Sequence, residues 1–112
     1  MNIQIFGRKK CQETRKAQRF FKERGIRVQF VNLEEKGLSR GEFNSVAGAV
    51  GGAERMIDPD SREYERKHLA HMVYDAAETA FENQALLKTP IVRNGKKATL
   101  GHAPDTWKAW IG

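Results

Sequence analysis

The chain has a single cysteine, Cys11, among 112 residues, only three histidines, and no long run of apolar side chains. One cysteine rules out an intrachain disulfide, so any redox chemistry at this thiol needs a partner from outside the chain. Three histidines and one cysteine show no metal-ligand spacing, and no metal is expected. A bilayer-spanning helix needs roughly 20 consecutive apolar residues, and none is present. The N-terminus also lacks the apolar core of a signal peptide, and the expectation is a soluble, cytoplasmic protein with no membrane partner. Aromatic residues are sparse at 9% and are not interleaved with basic ones, so a direct nucleic-acid interface is not expected. A chain of this length fits one domain, since domains typically hold about 100–150 residues, and residues 1–112 are read as one unit.

Positive charge is what the chain does have. Twenty Lys and Arg against fourteen Asp and Glu give a net charge of +6, with a pI of about 9.7. Most of these charges are mixed in sign along helical stretches, as in Lys22-Glu23-Arg24 and Glu65-Arg66-Lys67, and suit solvated helix faces. The exception is the cluster around the cysteine: Arg8, Lys9, Lys10 and Arg15. Upstream, Ile3, Ile5 and Phe6 read as a strand over 2–6. Downstream, Ala17, Phe20 and Phe21 fall at i, i+3, i+4 of a helix over 12–24 that Gly25 ends. Cys11 then lies at a helix N-terminus, where free N–H groups, the macrodipole and the cations favour the thiolate. A small buried residue filling a gap is the competing reading. The position and the cationic neighbours favour the reactive one.

A second strand is read from Ile26, Val28, Phe30, Val31 and Leu33, whose apolar character suits an inner position, and it would be parallel to the first across a right-handed crossover. Ser39 with Glu42 is a capping-box signature, and Phe43, Val46, Ala47 and Val50 give a second helix closed by Gly51-Gly52. Residues 53–68 are weakly patterned: Ile57–Ser61 reads as a turn, and Tyr64 with Leu69 could anchor a short helix. Val73, Ala76, Ala77, Ala80 and Phe81 predict a third helix over 72–86. Ile91-Val92, a turn at Asn94-Gly95, and Ala98–Leu100 predict an antiparallel hairpin. Pro104 opens a last helix with Trp107, Trp110 and Ile111 toward the core. The order is β-α-β-α-α-β-β-α, an α/β chain.

This layout, with a cysteine at the first helix and Thr89-Pro90 ahead of the third strand, resembles the thioredoxin fold: a mixed four-stranded sheet, here with a helical insertion. In that superfamily the proline is cis and faces the active cysteine; a cis X–Pro bond costs only about 0.5–1 kcal/mol. Within the superfamily, Cys11–Ala17, Leu86–Val92 and Leu100-Gly101 with Asp105 look like the arsenate reductase (ArsC) and Spx family. The resemblance makes Cys11 the nucleophile and puts Thr14 where dithiol members have a second cysteine, so this is a monothiol member. It implies arsenate-reductase-like thiol oxidoreductase activity with glutathione or glutaredoxin as external reductant, no bound cofactor, and a small oxyanion or disulfide as substrate. The alternative is an Spx-like module that binds an RNA polymerase subunit without catalysis.

The residues expected at the anion and thiol site are Lys9, Lys10, Thr14, Arg15, Thr89, Pro90 and His102. The family's oxyanion-holding arginines are implied at positions where this chain has Thr89, His102 and Asp60, with Arg55 and Arg62 close to the last. Thr14 and Thr89 read either as hydroxyl donors to the sulfur or as structural residues. His102, His68 and His71 read as surface residues, the last two on a helix, with His102 also placed to assist an anion.

Overall fold

A computed structural model describes residues 1–112. The strands are β1 (Ile3–Gly7), β2 (Val28–Asn32), β3 (Ile91–Asn94) and β4 (Lys97–Leu100). The helices are α1 (Gln12–Glu23), α2 (Arg40–Val50), α3 (Arg62–Arg66), α4 (Ala76–Glu82) and α5 (Pro104–Ile111). Short 3₁₀ turns at Ala53–Met56, Leu69–His71 and Gln84–Leu86 join the middle helices. The sheet order is β2-β1-β3-β4. β1 pairs parallel with β2 and antiparallel with β3, and β3 pairs antiparallel with β4. This is the mixed, thioredoxin-like arrangement that the sequence suggested.

The alternation of β1 assigns its two faces. Ile3 and Ile5 point to one side, where Ala17 and Phe21 of α1, Val92 and Trp107 of α5 complete a buried cluster. Phe6 points to the other side, into a cluster with Phe43 and Val46 of α2, Met56, Ile57, Ala80, Leu87 and Ile91. The helical insertion thus covers one face and the first and last helices cover the other. The capping box on α2 forms as expected: Ser39 Oγ accepts from the Glu42 N–H and Glu42 Oε1 accepts from the Ser39 N–H, while Gly51 ends the helix with φ 95°.

Four expectations need correcting. β2 is an edge strand, because β3 occupies the other side of β1; Gln29 is exposed and its apolar residues are only half-buried. The third predicted helix spans Ala76–Glu82 rather than 72–86, because the Asp75 carboxylate caps the Glu78 N–H at its start and the chain leaves the helix at Asn83 for the 3₁₀ turn Gln84–Leu86. Val73 consequently lies before the helix and is fully exposed. The hairpin turn is Gly95-Lys96, one residue later than Asn94-Gly95, since Asn94 pairs with Lys97. Finally, only Trp107 of α5 is fully buried, while Trp110 is half-buried and Ile111 is exposed.

The poorly patterned 53–68 region holds the short helix α3. Its Glu63 accepts from Arg66 (2.6 Å) and from the Asn83 amide, and these donors hold the Glu63 carboxyl down to about 2. The segment is also fastened to the chain ahead of β3: Asp58 N–H donates to Leu86 O (2.8 Å) and Lys88 N–H to Met56 O (2.8 Å).

Trp107 is the largest fully buried side chain, and its indole N–H donates to Thr99 Oγ1 at 2.8 Å. Trp107→Ala should cost about 3–5 kcal/mol of unfolding free energy, measured by denaturant titration. A loss no larger than that of an exposed substitution such as Lys108→Ala would contradict the core assigned here.

Candidate active site

The C-terminal end of β1 delivers the chain into a tight loop, Arg8–Cys11, closed by the Cys11 N–H donating to Arg8 O (3.0 Å). Cys11 is the N-cap of α1, in extended backbone at φ −77° and ψ 117°, with no side-chain cap of its own. The residue is half-buried. The first-turn N–H groups of α1 therefore look toward the thiol rather than toward a capping oxygen.

The wall facing the sulfur is the segment before β3. The Thr89–Pro90 peptide bond is cis. Thr89 Oγ1 lies 3.3 Å from Cys11 Sγ and donates to it. The protonated thiol can instead donate to Thr89 O, at 4.0 Å. One residue thus offers an acceptor to the thiol and a donor to the thiolate.

Thr14, one turn into α1, is completely buried. Its methyl and hydroxyl fill the space where a Cβ on Gly7 would sit, so the bare glycine lets α1 lie close against β1. Thr14 Oγ1 has no hydrogen-bond partner, yet the hydroxyl lowers the Cys11 pKa. Wherever its proton points, the oxygen stands outside hydrogen-bonding geometry to the sulfur, so it acts on the thiolate as a nearby dipole, and Thr89 is the hydroxyl that bonds Sγ.

Partial burial pushes the Cys11 thiol up, but the net shift is downward. The Thr14 and Thr89 hydroxyls and the backbone N–H groups of Thr14 and Glu13 outweigh it by favouring the thiolate. The activation is thus done by these short-range dipoles.

The cations are placed differently. Lys9 and Lys10 are exposed in the loop, and their ammonium groups make no hydrogen bond or ion pair within the protein. Arg15 turns outward, its Nε donating to Lys9 O at 2.8 Å, beside Gln12, Lys16 and Arg19. Arg8 goes inward: Nη2 donates to Gln84 O (2.9 Å), and Nη1 to Leu87 O (3.3 Å) and Thr89 Oγ1 (3.4 Å). His102 lies across α1's first turn, Nδ1 3.7 Å from Glu13 Oε2, with its ring edge-on to Trp107.

Cys11, Thr14, Thr89 and Pro90 are therefore brought together, with His102 reaching the same helix turn through Glu13. Arg55 and Asp60, named above for oxyanion binding, are elsewhere. Arg55 folds against Gly51, and a further inward-turned arginine, Arg93, bonds Gln4 and Ser45 toward the N-terminal end of β1. Asp60 lines a separate surface cavity of about 370 Å³ with Tyr64, Glu65, His68 and His71. The two histidines are exposed as expected but sit at a turn and a 3₁₀ segment rather than on a helix; His68 has φ 55°.

Sequence reasoning missed Gln84. Its Oε1 accepts the Leu38 N–H (2.7 Å), its Nε2 donates to Leu38 O and Phe81 O, and its own carbonyl takes Arg8. The amide pair Asn83-Gln84 between Phe81 and the apolar pair Leu86-Leu87 was the available signal.

A model of the ArsC family matches residues 6–110. The chain belongs to the ArsC family. An arsenate reductase of Haemophilus influenzae is 27% identical over 111 residues, covering 95% of this chain and 96% of that protein. A global transcriptional regulator, Spx 2 of Oceanobacillus iheyensis, is 28% identical over 115 residues, covering 99% of this chain and 84% of that one. Among solved structures, the arsenate reductase from Vibrio cholerae superposes with a TM-score of 0.81 at 21% identity, over 95% of this chain and 94% of its own. These matches support the thiol-oxidoreductase fold and leave the individual reaction of this ArsC-family chain to its site.

Thr14→Val keeps the shape of the side chain and removes its donor. The rate of Cys11 alkylation should then rise with pH to a midpoint at least about half a unit higher than in the unsubstituted protein. Thr106→Val on the exposed face of α5 should leave it unchanged. No change in Thr14→Val would show that this hydroxyl only fills space.

Proposed function

We propose that this ArsC-family chain is a monothiol oxidoreductase whose reaction is thiol–disulfide exchange at Cys11. The observation that supports it most strongly is the setting of Cys11: half-buried at a helix N-terminus, with the Thr89 hydroxyl 3.3 Å from its sulfur. The Cys11 thiolate attacks one sulfur of a disulfide such as glutathione disulfide. A new S–S bond forms, the old one breaks, and the departing sulfur leaves as a thiolate. With no second cysteine, the resulting mixed disulfide is resolved by an external thiol, glutathione or a glutaredoxin, which reduces Cys11 again. No bound cofactor is required.

Arsenate makes a different demand. Charge concentrates on its oxygens as the reaction proceeds, and single preorganised donors commonly contribute about 2.7–4 kcal/mol at such sites. Here Thr89 stands where the family's arginine is implied, Asp60 carries the opposite charge at another such position, and Arg8 is committed to two carbonyls and a hydroxyl. Lysines bind oxyanions as point charges, without a bidentate fork.

The level of identity to Spx 2 supports a second reading, a protein-binding module directed at an RNA polymerase subunit. It does not need the thiol, so a Cys11→Ser variant would still retain polymerase subunits from the native host.

Incubation with glutathione disulfide should yield one glutathione adduct on Cys11 by mass spectrometry and none in Cys11→Ser. Arsenate turnover with glutathione and glutaredoxin should be slow or absent, and Thr89→Arg should raise it. Robust arsenate turnover by the unsubstituted protein, or failure to form the mixed disulfide, would overturn the proposal.

A further inference from the structure

Arg8, like Arg93, turns its guanidinium into the protein, and it alone of the two reaches the cysteine site, onto acceptors 76 to 81 residues away. None of its partners is a carboxylate. Two are backbone carbonyls, Gln84 O and Leu87 O, on either side of the bend ahead of the cis-proline, and the third is the Thr89 hydroxyl. A solvated arginine gains little by exchanging water for carbonyls, so the arrangement calls for another explanation.

The chemistry of the Thr89 hydroxyl supplies one. It has one proton to give and two lone pairs to fill, whereas a guanidinium has five protons and no acceptor. When Arg8 Nη1 donates into a Thr89 lone pair, the Thr89 proton cannot point back toward Arg8. Cys11 Sγ, 3.3 Å away, is then the acceptor it faces. The two carbonyls keep the guanidinium from swinging away, and the Arg8 carbonyl holds the other side of the site by accepting the Cys11 N–H.

We infer that Arg8 is a positioning residue of the thiol site: it aims the Thr89 hydroxyl at the Cys11 sulfur and clamps the cysteine loop to the cis-proline loop. The inference rests on the proposed reading of Cys11 as a reactive thiolate. Arg8 touches no reacting atom, and its influence passes through Thr89. The other charges around the thiol are Lys9, Lys10, Glu13, Arg15, Lys88 and His102. Of these, Glu13 pairs with Lys16 (3.2 Å) and His102 (3.7 Å), and none bonds the sulfur.

The test is the pH midpoint of Cys11 alkylation in a double-mutant cycle of Arg8→Gln and Thr89→Val. Arg8→Gln in the unsubstituted protein should raise the midpoint by about 0.5–1 unit, but should produce no shift when Thr89→Val is already present. Arg8→Lys keeps the charge but cannot bridge three acceptors with one planar fork, and should shift the midpoint in the same direction as Arg8→Gln; this variant decides the matter if Arg8→Gln does not fold. An equal shift from Arg8→Gln with and without Thr89→Val, or full retention of the midpoint by Arg8→Lys, would mean that Arg8 acts by charge alone, and would overturn the assignment while leaving the thiolate reading intact. An ordinary midpoint in the unsubstituted protein would overturn both.

Discussion

The contact between Thr14 and the bare backbone of Gly7 sets the geometry on which the rest of the site depends. Without a Cβ on Gly7, the first turn of α1 rests directly on the last residue of β1. That approach fixes the direction in which α1 leaves the sheet, and with it the position of Cys11 as N-cap. β1 also pairs antiparallel with β3, with Phe6 opposite Ile91, so the chain just before β3 arrives beside the same end of β1. The two loops meet there, and the sulfur lies between them. A larger residue at position 7 would move Thr14 and turn the helix N-terminus away from Thr89.

Given that geometry, the thiol is activated by short-range donors rather than by the basic surface that the composition advertises. The cationic loop has three members, and they do different things. Lys9 and Lys10 stay in solvent, while Arg8 holds the opposite loop in place. An oxyanion at this sulfur would meet hydroxyls and amides instead of a guanidinium fork, which suits an exchange reaction between sulfurs. Gln84 ties this arrangement to the helical insertion, bonding Leu38 with its side chain and Arg8 with its carbonyl.

Much of this was legible in the sequence because it depends on local rules. The Ser39–Glu42 box, the alternation of Ile3, Ile5 and Phe6, and the position of Cys11 between strand and helix need only neighbouring residues. The position of β2 at the sheet edge was not legible, since the side of β1 that β3 takes is a long-range fact, and Ile26, Val28 and Phe30 read the same in either place. Val73 was misplaced because a helical period continued past the point where Asp75 caps the helix. The charge cluster was visible as a cluster, but whether a cation faces solvent, a carbonyl or the sulfur depends on partners some 80 residues away. The family resemblance added Thr89-Pro90 to a cysteine already marked by its position; the direction of Arg8 and the orphaned Thr14 hydroxyl needed coordinates.

The central claim is that hydroxyl and N–H donors, not the surrounding cations, lower the pKa of the Cys11 thiol, and ionic strength separates the two most directly. Screening shortens the Debye length from about 30 Å at 0.01 M to about 3 Å at 1 M salt, which weakens exposed charges and leaves short hydrogen bonds intact. Titration of the thiolate absorbance in the unsubstituted protein should give a midpoint below the ordinary value of about 8.5 that hardly moves across that range. A midpoint that starts low and climbs to the ordinary value as salt is added would contradict the account and return the activation to Arg8, Lys9, Lys10 and Arg15 as charges.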